Sequence, residues 1–155
     1  MFTMRNALIL GLFVITLNAF GQKNERKEEV PPELGMDNLT LLVQDEDKNQ
    51  LSKAIAETFE KHYKGPYEIL PMMTTQSKKY LDASKYRFVF VVLTKMNPGQ
   101  WIGRERFPPT TDYAYAVLDR RYGKQYRLDG WAGGFKRSMV DYVKEMEKIR
   151  AANSK

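Results

Sequence analysis

The stretch Phe88-Val89-Phe90-Val91-Val92-Leu93 sets the strongest limit on what this chain can become. Its successive apolar residues, mostly β-branched or aromatic, leave no side to turn toward water. A strand formed here must therefore be covered on both faces. The short length and the β-branched content exclude a buried helix. Such a strand belongs in the middle of a sheet with helices packed on it, which places the chain in the α/β class. A length of 155 residues leaves room for one domain around it.

The flanking segments supply the rest of that domain. Residues 39–43 (Leu-Thr-Leu-Leu-Val) read as a second mostly apolar strand. Leu51, Ala54, Ile55, Thr58, Phe59 and His62 then recur at helical spacing, with Gly65-Pro66 as the stop signal and Asp47 with Gln50 as a capping box. Residues 67–70 predict a strand limited by Pro71, and residues 77–81 a short helical turn. Residues 100–110 read as a long connection. Residues 111–119 alternate as a strand, 120–123 turn, and 124–128 return as a half-exposed edge strand. Met139, Val140, Val143, Met146 and Ile149 line one face of a final helix, for which Ser138 and Asp141 are the expected capping pair. The fold class is thus a single-layer mixed β-sheet flanked by helices, in the order β-α-β-(short α)-β-β-β-α.

This order is similar to that of thioredoxin-like domains over residues 38–150. Their sheets join a parallel β-α-β part to a hairpin and a final helix. Cys 0 means that Cys-x-x-Cys redox chemistry does not come with the resemblance. The same composition excludes disulfides, thiolate metal sites and a cysteine nucleophile, and His 1 excludes a histidine-rich zinc site within one chain.

The N-terminal segment carries an expectation about location. Arg5 precedes an apolar run over residues 7–20, and Ala19-Phe20-Gly21 places small residues where a signal peptidase reads them. Residues 1–21 are expected to be a cleaved signal peptide, 22–38 a polar linker with Pro31-Pro32, 39–152 the single α/β domain, and 153–155 a frayed end. The apolar run is short for a membrane span, which needs roughly 20 residues. The expectation is an exported chain, periplasmic or extracellular, with no stable membrane span after cleavage. Beyond residue 21 the chain has 24 Lys plus Arg against 19 Asp plus Glu. Export turns that basic surplus away from nucleic acid and toward an acidic protein or an anionic glycan.

No enzymatic signature stands out, and no cofactor or metal is expected. His62 near a helix C-terminus would favour a charged imidazole. Asp45, Glu46 and Asp47 lack the calcium-loop pattern. Gly130, Gly133 and Gly134 ahead of Lys136-Arg137 fail the P-loop spacing. Asp112, Asp119 and Asp129 could serve paired-acid glycoside chemistry only if folding brought two of them to about 5–9 Å. The broadest signal is aromatic and basic: residues 85–137 hold eleven Lys plus Arg and four acids. The expected partner-binding face comprises Trp101, Arg104, Arg106, Arg121, Lys124, Tyr126, Trp131 and Lys136, gathered by the last hairpin. These features favour a non-catalytic binding or assembly protein over the alternative, a cysteine-independent hydrolase of an envelope or extracellular substrate.

Overall fold

A computed structural model describes residues 28–47 and 49–154. The expected signal peptide lies outside the described residues, as does the start of the linker. Along the chain come β1 (Leu41–Asp45), α1 (Asn49–His62), β2 (Tyr67–Pro71), β3 (Phe88–Asn97), β4 (Gln100–Ile102), β5 (Glu105–Phe107), β6 (Thr110–Asp119), β7 (Lys124–Arg127) and α2 (Phe135–Asn153). One mixed sheet has the strand order β2-β1-β3-β6-β7, with β1 parallel to β2 and β3 and the other neighbours antiparallel. The α/β class and element order agree with the sequence reading. The addition is a separate two-stranded ribbon, β4–β5, where a long connection was expected.

The apolar run does become the central strand. Phe88, Phe90 and Val92 join Leu41, Val43, Tyr115 and Val117 in the larger core, which also takes in Ile55 and Phe59 of α1 and Met139, Val143 and Met146 of α2. Val89 and Val91 point the other way, with Leu42 and Ala116, as the two-residue period of a strand requires. The two faces are covered differently. Rings of Phe59, Phe90, Tyr115 and Tyr142 run through the helical side, with centroids 4.9, 6.1 and 6.4 Å apart in sequence. The second face is closed by the segment leading to β3, which makes two 3-10 turns (Met72–Gln76 and Lys78–Tyr80) and lays Tyr80 and Tyr86 on the sheet in an edge-to-face pair.

Four local expectations need correction. The start of α1 is tied by Asp45, whose carboxylate accepts from the Asp47 amide and the Ser52 hydroxyl, rather than by an Asp47–Gln50 box. Helix α2 begins a turn earlier than Ser138, with Gly134 as its N-cap. Phe135 packs edge-on to Tyr113 at 5.5 Å, and Ser138 donates back to the Gly134 carbonyl instead of capping. The described part of residues 22–38 is no loose linker: Val30 and Leu34 are buried in the core. Nor is Asn153 frayed, because its side-chain amide donates to the carbonyls of Pro32 and Leu34. The N-terminal segment is therefore a strap over α2, held further by the Tyr142 hydroxyl, which lies between the carbonyls of Glu29 and Tyr126.

Candidate binding face

β3 and β6 pair over ten residues each, from Phe88↔Asp119 to Asn97↔Thr110. At about 3.3 Å per residue the two ends of this hairpin stand about 30 Å apart. That length divides the expected face. Arg121, Lys124 and Tyr126 lie at the Asp119 end, whereas Trp101, Arg104 and Arg106 lie on the ribbon beyond the Asn97–Thr110 end. Trp131 precedes Ala132, which bridges to Tyr113 on the ribbon half of β6. Lys136 stands at the start of α2, beside Gln50, Lys53 and Glu57 of α1. The eight expected residues thus fall into separate groups, the outermost about 30 Å apart along β6. Tyr126 leaves the set altogether: it is buried opposite Val117, with the Lys124 ammonium over its ring at 4.3 Å.

At the Asp119 end the arrangement is structural. Arg87 is 6% exposed and Asp119 1%. Arg87 Nε donates to Asp119 Oδ1 at 3.0 Å and its Nη2 to Oδ2 at 2.6 Å, a forked pairing. Glu33 of the strap adds a second carboxylate to Arg87, and the guanidinium lies over Tyr122 at 5.0 Å. Burial pushes the Asp119 carboxyl up, but the Arg87 hydrogen bonds and the Arg121 and Tyr122 amides outweigh it and hold its pKa below the usual value. Its fixed pairing makes Asp119 unsuitable as a catalytic acid. Asp112, seven residues away on the same strand, lies about 23 Å from it, so these two cannot form a glycosidase pair.

The ribbon end is built in the opposite sense. Residues 98–110 are all exposed, yet β4 and β5 pair in register: Gln100↔Phe107, Trp101↔Arg106 and Ile102↔Glu105. Gly103 and Arg104 make the two-residue turn, and Gly103 takes the left-handed φ of 63° that such turns favour in glycine. Pro98, Pro108 and Pro109 interrupt the pairing at the root, where proline cannot donate to a ladder. The root is pinned all the same. Asn97 Nδ2 donates to Asp112 Oδ2 at 2.7 Å and to Thr110 Oγ1 at 3.3 Å. Gly99 approaches the Phe107 carbonyl so closely that a Cβ there would lie 2.8 Å from its oxygen. The result is a held element that presents Trp101 (69% exposed), Ile102 (58%) and Phe107 (44%) to solvent beside Arg104 and Arg106. Ile102 and Phe107 were not placed on the expected face because the segment read as a connection. The signal was present: Gly-Arg between two short runs with apolar residues is a tight-hairpin pattern.

The remaining candidates contribute less chemistry. His62 does not gain charge from its helix end; partial burial and the ammonium groups of Lys144, Lys61 and Lys64 lower its pKa. Among the described residues no cluster of three or more His, Cys, Asp or Glu is arranged to hold a metal. A cavity of about 120 Å³ between Tyr115, Trp131 and Ser138 lies where β7 leaves β6, and burial pushes the Tyr115 hydroxyl up to about 12. A groove of about 610 Å³ between the strap and α2 is lined by Val30, Pro32 and Ile149 with Glu28, Glu29, Asp129 and Glu145. Lys124 pairs with Glu28 and Lys148 with Glu145, which offsets two of the four carboxylates lining the groove. Among the described residues no helix is long and apolar enough to cross a membrane. No family model, curated protein or solved structure matches this chain.

Proposed function

We propose that this chain is an exported, non-catalytic binding or assembly protein that engages an anionic partner through the β4–β5 ribbon. One observation carries the reading: an ordered, pinned two-stranded element places Trp101, Ile102 and Phe107 in water beside two arginines. Keeping large apolar side chains exposed on a rigid support has no benefit to the core, and it lowers the ordering cost of docking. Trp and Arg are also the residue types most enriched where binding energy concentrates. The arginines call for an anionic partner, and acidic proteins and anionic glycans are the classes a pull-down reads.

The test is a pull-down from envelope and extracellular fractions with wild type, Trp101→Ala, Arg104→Ala and Arg121→Ala, each checked for folding. Partner retention should fall for the two ribbon variants and persist for Arg121→Ala, which lies at the far end of β6. Equal retention by all four proteins would overturn an acidic protein or an anionic glycan as the ribbon's partner. Export is tested separately by intact mass: the recovered protein should begin at Gln22.

A further inference from the structure

We infer that the partner of the ribbon is a lipid surface with anionic headgroups, into whose interfacial layer the tip inserts while the sheet and helices stay outside. This rests on the ribbon being the binding element and goes on to name what it binds.

The pairing register supplies the argument. In a two-stranded ribbon, paired residues share a face and successive pairs alternate. Trp101 and Arg106 therefore share one face, and Ile102, Phe107, Gln100 and Glu105 share the other. Apolar side chains stand on both sides of a ribbon whose residues, 98–110, are all exposed. A flat protein surface would cover one side and leave the other wet. A sugar ring would stack on Trp101 and gain nothing from Ile102 and Phe107 across the ribbon. A medium that surrounds the tip satisfies both sides at once.

Shape and charge agree with an interfacial lipid layer. The six residues from Pro98 to Gly103 reach at most about 20 Å from the root. That is enough for the tip to enter the headgroup and upper acyl region, where buried interfacial elements sit about 5–10 Å deep. Tryptophan is suited to that depth, with an apolar ring and one N–H for the wet side. Arg104 at the turn and Arg106 beside Trp101 can pair with lipid phosphates, while Glu105 offsets one of them. Two cations against one acid is sparse for a polyanionic glycan, whose recognition depends on dense charge. For a mainly apolar anchor with an electrostatic preference it is sufficient.

The experiment follows Trp101 itself. The chain has two tryptophans, so Trp131→Phe leaves Trp101 as the sole indole of the full-length protein. Vesicles of phosphatidylcholine with about a third phosphatidylglycerol should shift its emission to the blue, and brominated acyl chains should quench it. In that background, Ile102→Ser with Phe107→Ser should weaken the response at least about tenfold, and Arg104→Gln about fivefold. Pure phosphatidylcholine should give a weaker response, and Arg121→Gln should change nothing. Unchanged Trp101 emission at saturating anionic lipid overturns the lipid assignment, even if the protein as a whole sediments with the vesicles. If the pull-down still loses its partner in Trp101→Ala, the ribbon remains a binding element and a protein or glycan replaces the lipid. If neither assay responds to the ribbon variants, both readings fall.

Discussion

The β3–β6 hairpin ends twice, and its ends follow opposite rules. At the Phe88–Asp119 end a guanidinium and a carboxylate are buried, forked together and roofed by Tyr122 and by the strap through Glu33. At the Asn97–Thr110 end a tryptophan, an isoleucine and a phenylalanine stand in water on a ribbon stiffened by prolines. Ordinary folding would place these groups the other way round. The contrast separates two uses of unfavourable placement. The buried charges are compensated inside the molecule, by geometry that leaves Asp119 with Arg87 and the Arg121 amide. The exposed apolar groups have no such compensation among the described residues, which is what the proposed binding role would supply.

Substitutions at the two ends should therefore differ in kind. The largest effect is expected from Asp119→Ala, which strands the Arg87 charge in a buried site and should cost about 3–5 kcal/mol of unfolding free energy by urea titration. A loss below about 1 kcal/mol would mean that the pair is not the lock described. Next comes Leu34→Ala, which empties a core position supplied by the strap and should cost about 2–4 kcal/mol. A surface-like effect there would return the strap to the status of a linker.

Acid should act on the same end and more gently. The folded Asp119 carboxyl is held below its unfolded value, so its stabilisation is fully present above about pH 4, the ordinary carboxylate range. It is lost as pH falls through the folded value. Glu147, lowered first by its hydrogen bonds from Arg150, adds to the same acid window. Melting temperature followed from pH 7 to pH 2 should fall in wild type and less steeply in Asp119→Asn. Parallel curves would show that Asp119 is not the group being titrated. The smallest effect is expected at the other end: Trp101→Ala should alter stability by no more than about 0.5 kcal/mol, since the ring contributes nothing to the core. A large destabilisation would reveal a structural role and weaken the contrast between the ends.

How much of this was readable in advance depended on the range of the interaction. The central strand, α1 and the β6–β7 hairpin were legible because period, turn chemistry and stop signals are local to them. The mixed sheet followed from counting such elements. The strap was not legible, because Val30 and Leu34 are isolated apolar residues among charges and prolines, and their partners lie in the core of the folded domain. The site was half legible. Trp101, Arg104 and Arg106 were singled out by type, but their separation from Arg121 and Lys124 depends on β6 running unbroken for ten residues. What was missing was the pairing of β4 with β5, which carries Trp101, Arg104 and Arg106 beyond the far end of β6.

The strap also sets a schedule. Its hydrogen-bond partners Tyr142 and Asn153 lie 113 to 121 positions further along the chain. A growing chain carries Val30 and Leu34 for about a hundred further residues before the helix that covers them exists. Closing a loop that long comes late and costs entropy before it is rewarded. Until residues near 139–146 emerge, the helical side of the sheet also lacks Met139, Tyr142, Val143 and Met146. The domain is therefore built to finish folding only once its last helix is complete, and a chain cut short there should remain open rather than settle into a smaller native fold.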